Sequence, residues 1–174
     1  AYETFYPSPP LNRWVQSFWQ LTVPEGKYHY LSIPDNCVDW IFNLDVSEEG
    51  VLVPPFTQAN PFELIGPVTY FGVRFQIHGH RGLTSIPLDE WDGEIVGENM
   101  TDIVSEEVWQ SCWQALQGDR FMTRCQQISE ELLSRIQLTA MDKRLFHFLQ
   151  YCMENEGIDL SEQTISQFGL SPRQ

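Results

Sequence analysis

The stretch "TYFGVRFQIH", residues 69–78, alternates along its length. In an extended chain Phe71, Val73, Phe75 and Ile77 share one face, and Gly72, Arg74, Gln76 and His78 share the other. A period of two over this length describes a strand with one face in a core, and it sets the class of the N-terminal half. Upstream, "WVQSFWQLTV" (14–23) and "CVDWIFNL" (37–44) are rich in aromatic and β-branched residues. The turn signals "PEG" (24–26) and "PDN" (34–36) separate them from "YHYLSI" (28–33), a shorter strand candidate, as is "VLVPP" (51–55). Short strands at this spacing, divided by proline and glycine, predict a small barrel or sandwich.

Downstream of about residue 105 the period becomes helical. "SEEVWQSCWQALQ" (105–117) has Ser105 to cap its N-terminus, acids in its first turn, and Val108, Cys112, Ala115 and Leu116 on one side. "DRFMTRCQQISEELLSRI" (119–136) places Phe121, Cys125, Ile128, Leu132 and Ile136 on one stripe behind Asp119 as N-cap. "DKRLFHFLQYCMEN" (142–155) sets Leu145, Phe148, Leu149 and Cys152 at helical spacing behind Asp142. Stripes of this kind are core or helix-partner faces. In "LSEQTISQFGLSPRQ" (160–174) Ser161 caps a short helix, and Gly169 suits the left-handed residue that closes one. Ser171 and Pro172 then read as the N-cap and first residue of another helix. A helix, a glycine turn and a capped helix start follow helix-turn-helix grammar.

With 174 residues, 42% of them hydrophobic, the chain can bury a substantial core. No apolar run reaches the roughly 18 residues needed to cross a bilayer, so no membrane partner is expected. "AYETFYPSPPL" (1–11) is not a signal peptide. The four cysteines, Cys37, Cys112, Cys125 and Cys152, form no Cys-x-x-Cys pair and predict reduced thiols, hence a cytoplasmic location. The formal charge of −14 repels phosphate backbones, because nucleic-acid affinity comes largely from Lys and Arg.

Residues 142–174 resemble the opening of the DNA-binding region of AraC-type transcription regulators, and "GLSPRQ" (169–174) matches the turn into their recognition helix. The front half is similar to the N-terminal domain of some members of that family, through "YPSPPL" (6–11), "WVQSFWQL" (14–21), "PDNCVDWIFNL" (34–44) and "FGVRF" (71–75). Two departures stand out: Ile165 replaces a small Ala on the short helix, and "QIHGH" (76–80) replaces a Pro-Gly-Gly-like turn. The resemblance implies that Ser171, Arg173 and Gln174 begin a recognition helix that contacts promoter DNA, and that most of this helix lies beyond the sequence. It also implies a homodimer, with the helices of 105–137 as its support. Residues 142–174 hold three basic against five acidic side chains, a charge of −2, so this portion should not bind DNA by itself.

"GVRFQIHGH" (72–80) matches the first half of the cupin metal motif, which makes His78 and His80 weak metal candidates. The Glu expected three or four residues later is absent, so no metal or other cofactor is assigned. No nucleophile elbow or phosphate loop is present, and no enzyme activity is expected. The aromatic residues of the strand region, Trp14, Tyr30 and Trp40 among them, suit either a small-ligand pocket or the core. Arg74 is placed to pair with a carboxylate, of an effector or of the protein itself. Asp39 alternates opposite Val38, Trp40 and Phe42, so it lines a polar pocket or faces water.

The expected architecture is therefore α+β. A cupin-like β-barrel or sandwich over 1–100 binds an unidentified small-molecule effector, a helical connector spans 101–140, and an incomplete helix-turn-helix spans 141–174. The expected function is the sensor and dimerisation portion of a transcription regulator. A cupin-type metal-binding enzyme and a ligand-free interaction module are the alternatives.

Overall fold

The computed structural model describes residues 1–84, 104–136, 140–156 and 160–171. The chain is α+β and divides into two compact units, 1–136 and 137–174. The first holds an antiparallel sheet of β1 (Tyr2–Phe5), β2 (Val15–Ser32), β3 (Val38–Asn43), β4 (Gly50–Val53) and β5 (Asn60–Phe75), in the order β1-β2-β5-β3-β4. Among the described residues this sheet is open, with β1 and β4 at its edges, which corrects the expected barrel. Closure would need those two edges to pair, and β1 runs only along Phe18–Leu21 of β2.

The strand of 69–78 keeps its alternation only to Phe75. Phe71, Val73 and Phe75 are fully buried, whereas Ile77 is exposed. After Phe75 the chain turns through His78, whose φ is 67°, into a short 3-10 helix, Gly79–Gly82. His78 and His80 therefore do not alternate on a strand face.

The segments 14–23 and 28–33 were expected as two strands. They form one, because "PEG" makes a bulge between Val23 and Gly26 instead of a reversal. Gly26, at φ 127°, lies opposite Gly66 of β5, where a Cβ would come within 2.0 Å of the Pro24 carbonyl oxygen. Only a glycine lets the backbones approach this closely, and the ladder resumes beyond it from Gly26↔Gly66 to Ser32↔Asn60.

One face of the sheet carries the core. Phe18, Val38, Trp40, Phe42 and Leu52 join Phe71, Val73 and Phe75 beneath two helices, α1 (Glu106–Ala115) and α2 (Phe121–Arg135). The 101–140 region thus contributes to the same core as the strands. Ser105 caps α1 by accepting from the Val108 N–H at 3.4 Å. The buried stripe of α1 is Trp109, Cys112, Trp113 and Leu116, one position round from the expected one. Trp109 stacks on Phe42 at 4.8 Å and Trp113 lies 6.1 Å from the same ring, so the indoles face the sheet. Such contacts contribute about 1 kcal/mol each beyond their area burial. In α2 the buried residues are Phe121, Cys125, Ile128 and Leu132, with Ile136 packed beside them, as periodicity predicts. Its N-cap is Arg120, not Asp119, and makes no side-chain cap bond. Arg124 joins the two layers, donating to the Leu116 carbonyl at 3.1 Å and to the Gln20 amide oxygen at 2.8 Å.

The second unit contains α3 (Ala140–Glu154) and α4 (Glu162–Gln167). Ser161 caps α4, accepting from the Thr164 N–H at 3.2 Å. Gly169, at φ 69°, follows the helix, and Phe168 packs against Phe148 and Tyr151 of α3 at 5.5 and 5.3 Å. Among its described residues Phe146, Thr164 and Leu170 are buried, while Ile165 is only half-buried. All four cysteines are free. Among the described residues no helix is long and apolar enough to cross a membrane.

Candidate functional site

The face of the sheet opposite the helices holds the concentration of charged and aromatic chemistry. It is set by register. Asp39 of β3 lies directly across from Arg74 of β5, and Trp19 of β2 lies across from Gly72. Facing residues on neighbouring strands share a side, so these four come together although 35 positions separate Asp39 from Arg74.

Asp39 is 7% exposed and accepts three nitrogens. Arg74 grips it side-on, Nε to Oδ1 at 3.1 Å and NH2 to Oδ2 at 2.9 Å. The Trp19 indole N–H donates to Oδ1 at 3.0 Å. Arg74 then reaches Asp35 with NH1, at 3.1 Å. Burial works against the Arg74 charge, but the hydrogen bonds and charge of Asp39, with Asp35 adding, outweigh it and hold the guanidinium above its ordinary value. One cation between two carboxylates leaves the cluster with a formal charge of −1.

Trp19 owes its position to Gly72. A Cβ there would lie 1.9 Å from the indole Cε2, so the ring covers the strand backbone where a side chain would otherwise stand. Tyr2 stacks on the outer side of Trp19 at 6.2 Å, 26° from parallel. Partial burial raises the Tyr2 phenol above its ordinary value against a hydrogen bond with Thr4, and Arg74, Tyr30 and Asp39 lie near enough to act on it. Cys37 completes the edge, its thiol 3.3 Å from the Gln16 amide oxygen. Burial, with Asp35 adding, pushes that thiol up to about 11, so it is neutral and unreactive at physiological pH.

Of the residues singled out in the sequence, the structure brings Arg74, Asp39 and Tyr30 to this face. Trp40 is on the other side, fully buried with its ring 5.3 Å from Phe75, and belongs to the core. Trp14 precedes β2, where its carbonyl accepts from the Gln76 N–H at 2.8 Å and lies against Gly79. Sequence reading placed Trp19 only among the aromatic residues of the strand region, without a role, and did not single out Tyr2 or Asp35. The signal that could have found Trp19 was Gly72, a glycine inside a strand, which marks a close approach by something large. His80 is fully buried and His78 half-buried, with ring centroids 6.3 Å apart. Among the described residues no three His, Cys, Asp or Glu side chains group as metal ligands. Ser171 is exposed after the Gly169 turn, and Arg173 and Gln174 lie outside the described residues.

The face can recognise a planar or hydrogen-bonding small molecule: aromatic surface from Tyr2, Trp19 and Tyr30 surrounds a fixed ionic cluster. Arg74 is one-third exposed, and the bonds to Asp39 and Asp35 occupy only part of its five-donor fork. No curated protein and no solved structure matches the chain. A family model described as a domain of unknown function, DUF6597, matches residues 3–97, which span the five strands except Tyr2 and include the Asp39–Arg74 cluster. The chain belongs to the DUF6597 family.

Proposed function

We propose that residues 1–174 are the sensor and dimerisation portion of an AraC-type DNA-binding transcription regulator acting in the cytoplasm. A small-molecule effector would sit on the sheet face formed by Tyr2, Trp19, Tyr30, Asp39 and Arg74. The observation that carries this reading is the Ser161-capped short helix, closed by a left-handed Gly169 and followed by Ser171. That is the first helix and turn of a helix-turn-helix, in which the second helix reads the major groove. Ile165, where AraC-type regulators carry a small Ala, is half-buried here and leaves the close packing to Thr164. The acidity of the chain accords with this portion not binding DNA alone. An effector that favours one conformation over another would then shift the DNA-reading state.

The test is transcriptional. Compounds that raise the melting temperature of the protein are added to strains with and without the gene, and transcripts are compared. The expected result is a small set of transcripts that respond only when the gene is present. Identical responses in both strains overturn the proposal. A ligand-free interaction module is favoured by one observation, that Arg74 already has protein carboxylates on two sides. It predicts that no compound in the library shifts the melting temperature.

A further inference from the structure

We infer that the distal ribbon of β2 and β5 is the site where two copies of this chain join, by antiparallel pairing of Gly26–Ser32 edge to edge about His29. Beyond the bulge, β2 and β5 pair only with each other: the N-terminal residues bond to β2 no further out than Thr22, and the β3 side bonds to the β5 backbone no further out than Thr69. Two strand edges are therefore open among the described residues. They are not equivalent. The β5 edge carries Pro61 and Pro67, which cannot donate to another strand and blunt it. The β2 edge from Gly26 to Ile33 holds no proline. An open, proline-free edge with apolar flanks is a template for another strand.

The surface beside that edge is apolar to a degree unusual for this molecule. Tyr28, Tyr30, Leu31, Ile33 and Ile65 are 40, 54, 60, 65 and 62% exposed. Charge repulsion between copies is also small there. The chain carries −14, yet the ribbon's charged residues are Lys27 and Glu63, which pair at 3.0 Å and cancel. Two copies of an acidic protein can meet here without opposing like charges, which favours a second copy over a partner of complementary charge.

The register follows from the side chains. Pairing about a two-fold axis is isologous, so each contact occurs twice. Centred on His29, it places Tyr28 against the partner's Tyr30 on one face and Lys27 against the partner's Leu31 on the other. Centred on Tyr28 or Tyr30, it would keep one aromatic pair on the axis but set the other tyrosine against Gly26 or Ser32, so one aromatic pair replaces two. The ribbon would supply the dimerisation named in the proposed function and shares Tyr30 with the proposed effector face, but its geometry draws on neither the second unit nor a bound effector, so it can fail or hold separately from that reading.

Sedimentation velocity over about 1–100 µM protein reads the association directly. The wild type is expected to dimerise with increasing concentration. Leu31→Lys sets a new cation opposite Lys27 of the other copy and should raise the dissociation constant at least about ten-fold, whereas Leu31→Glu sets an anion there and should leave it within about three-fold. Both substitutions sit on an exposed side chain, and unchanged melting temperatures confirm the fold. His29→Cys, placed against itself across the axis, should form an intermolecular disulfide under mild oxidation that the wild type does not form. A wild type that stays monomeric, a dimer equally sensitive to both Leu31 variants or to neither, or a His29→Cys protein that fails to cross-link overturns the inference. So does a dimer that survives Leu31→Lys but is dissociated by Leu133→Lys on the outer face of α2.

Discussion

Replacing Asp39 with alanine strands three nitrogens at once, the Trp19 indole N–H and the Nε and NH2 groups of Arg74. Hydrogen bonds to charged groups contribute about 1.5–3 kcal/mol each, and a buried donor left without an acceptor costs about 1–3 kcal/mol. Arg74 is 32% exposed, so water recovers part of its loss, and Asp35 still holds NH1. The expected net loss is about 3 kcal/mol, at the lower end for breaking a buried pair. Asp39→Asn keeps an acceptor for Trp19 but removes the charge and turns an amide N–H₂ toward the guanidinium, for a loss of about 2 kcal/mol. Replacing both partners, Asp39→Leu with Arg74→Met, should cost about 2 kcal/mol less than the sum of the single changes, since neither charge is then left alone. Urea unfolding followed by tryptophan fluorescence measures these values in the right unit, because all six tryptophans lie within residues 1–136. A loss below about 1 kcal/mol for Asp39→Ala would refute the desolvated network, because exposed pairs contribute that little.

Gly72→Ala should displace Trp19 from the sheet, since the new methyl would stand 1.9 Å from the indole; we expect a loss of about 2 kcal/mol and a red shift in emission, and unchanged emission would sink the argument. Ser161→Ala removes the cap of α4 and should cost about 1 kcal/mol locally, seen as roughly five-fold faster hydrogen exchange of the α4 amides. Burial pushes the thiols of Cys112 and Cys125 from 9.0 to about 12. The folded state thus prefers the neutral thiols, the unfolded chain releases their protons first, and stability falls as pH rises from 9.0 toward about 12. Unfolding midpoints measured across that range should descend less steeply in the Cys112→Ala, Cys125→Ala double variant, with a remainder from Cys37, Tyr2 and Tyr70, whose thiol and phenols burial also raises.

What the sequence determined by itself was local. Alternation in 69–75 assigned Phe71, Val73 and Phe75 to the core and Arg74 to the opposite face, because side-chain direction in a strand follows from backbone geometry alone. The stripe of α2, the caps at Ser105 and Ser161, and the left-handed Gly169 were legible for the same reason: each depends on neighbours within a turn or two of chain. Tertiary structure decided whatever depends on partners far away in sequence. "PEG" reads as a turn by composition, yet Gly66 lies opposite and admits the close approach of a bulge, so two strands merge into one. The face of α1 rotated because Phe42, more than sixty residues earlier, offers a ring for Trp109 and Trp113. Asp39 met Arg74 instead of water because the register of β3 on β5 put them side by side, and register is a property of the assembled sheet. For the same reason the open edge at Gly26–Ser32 could not be seen in the sequence: an edge exists only once the order of the strands is known.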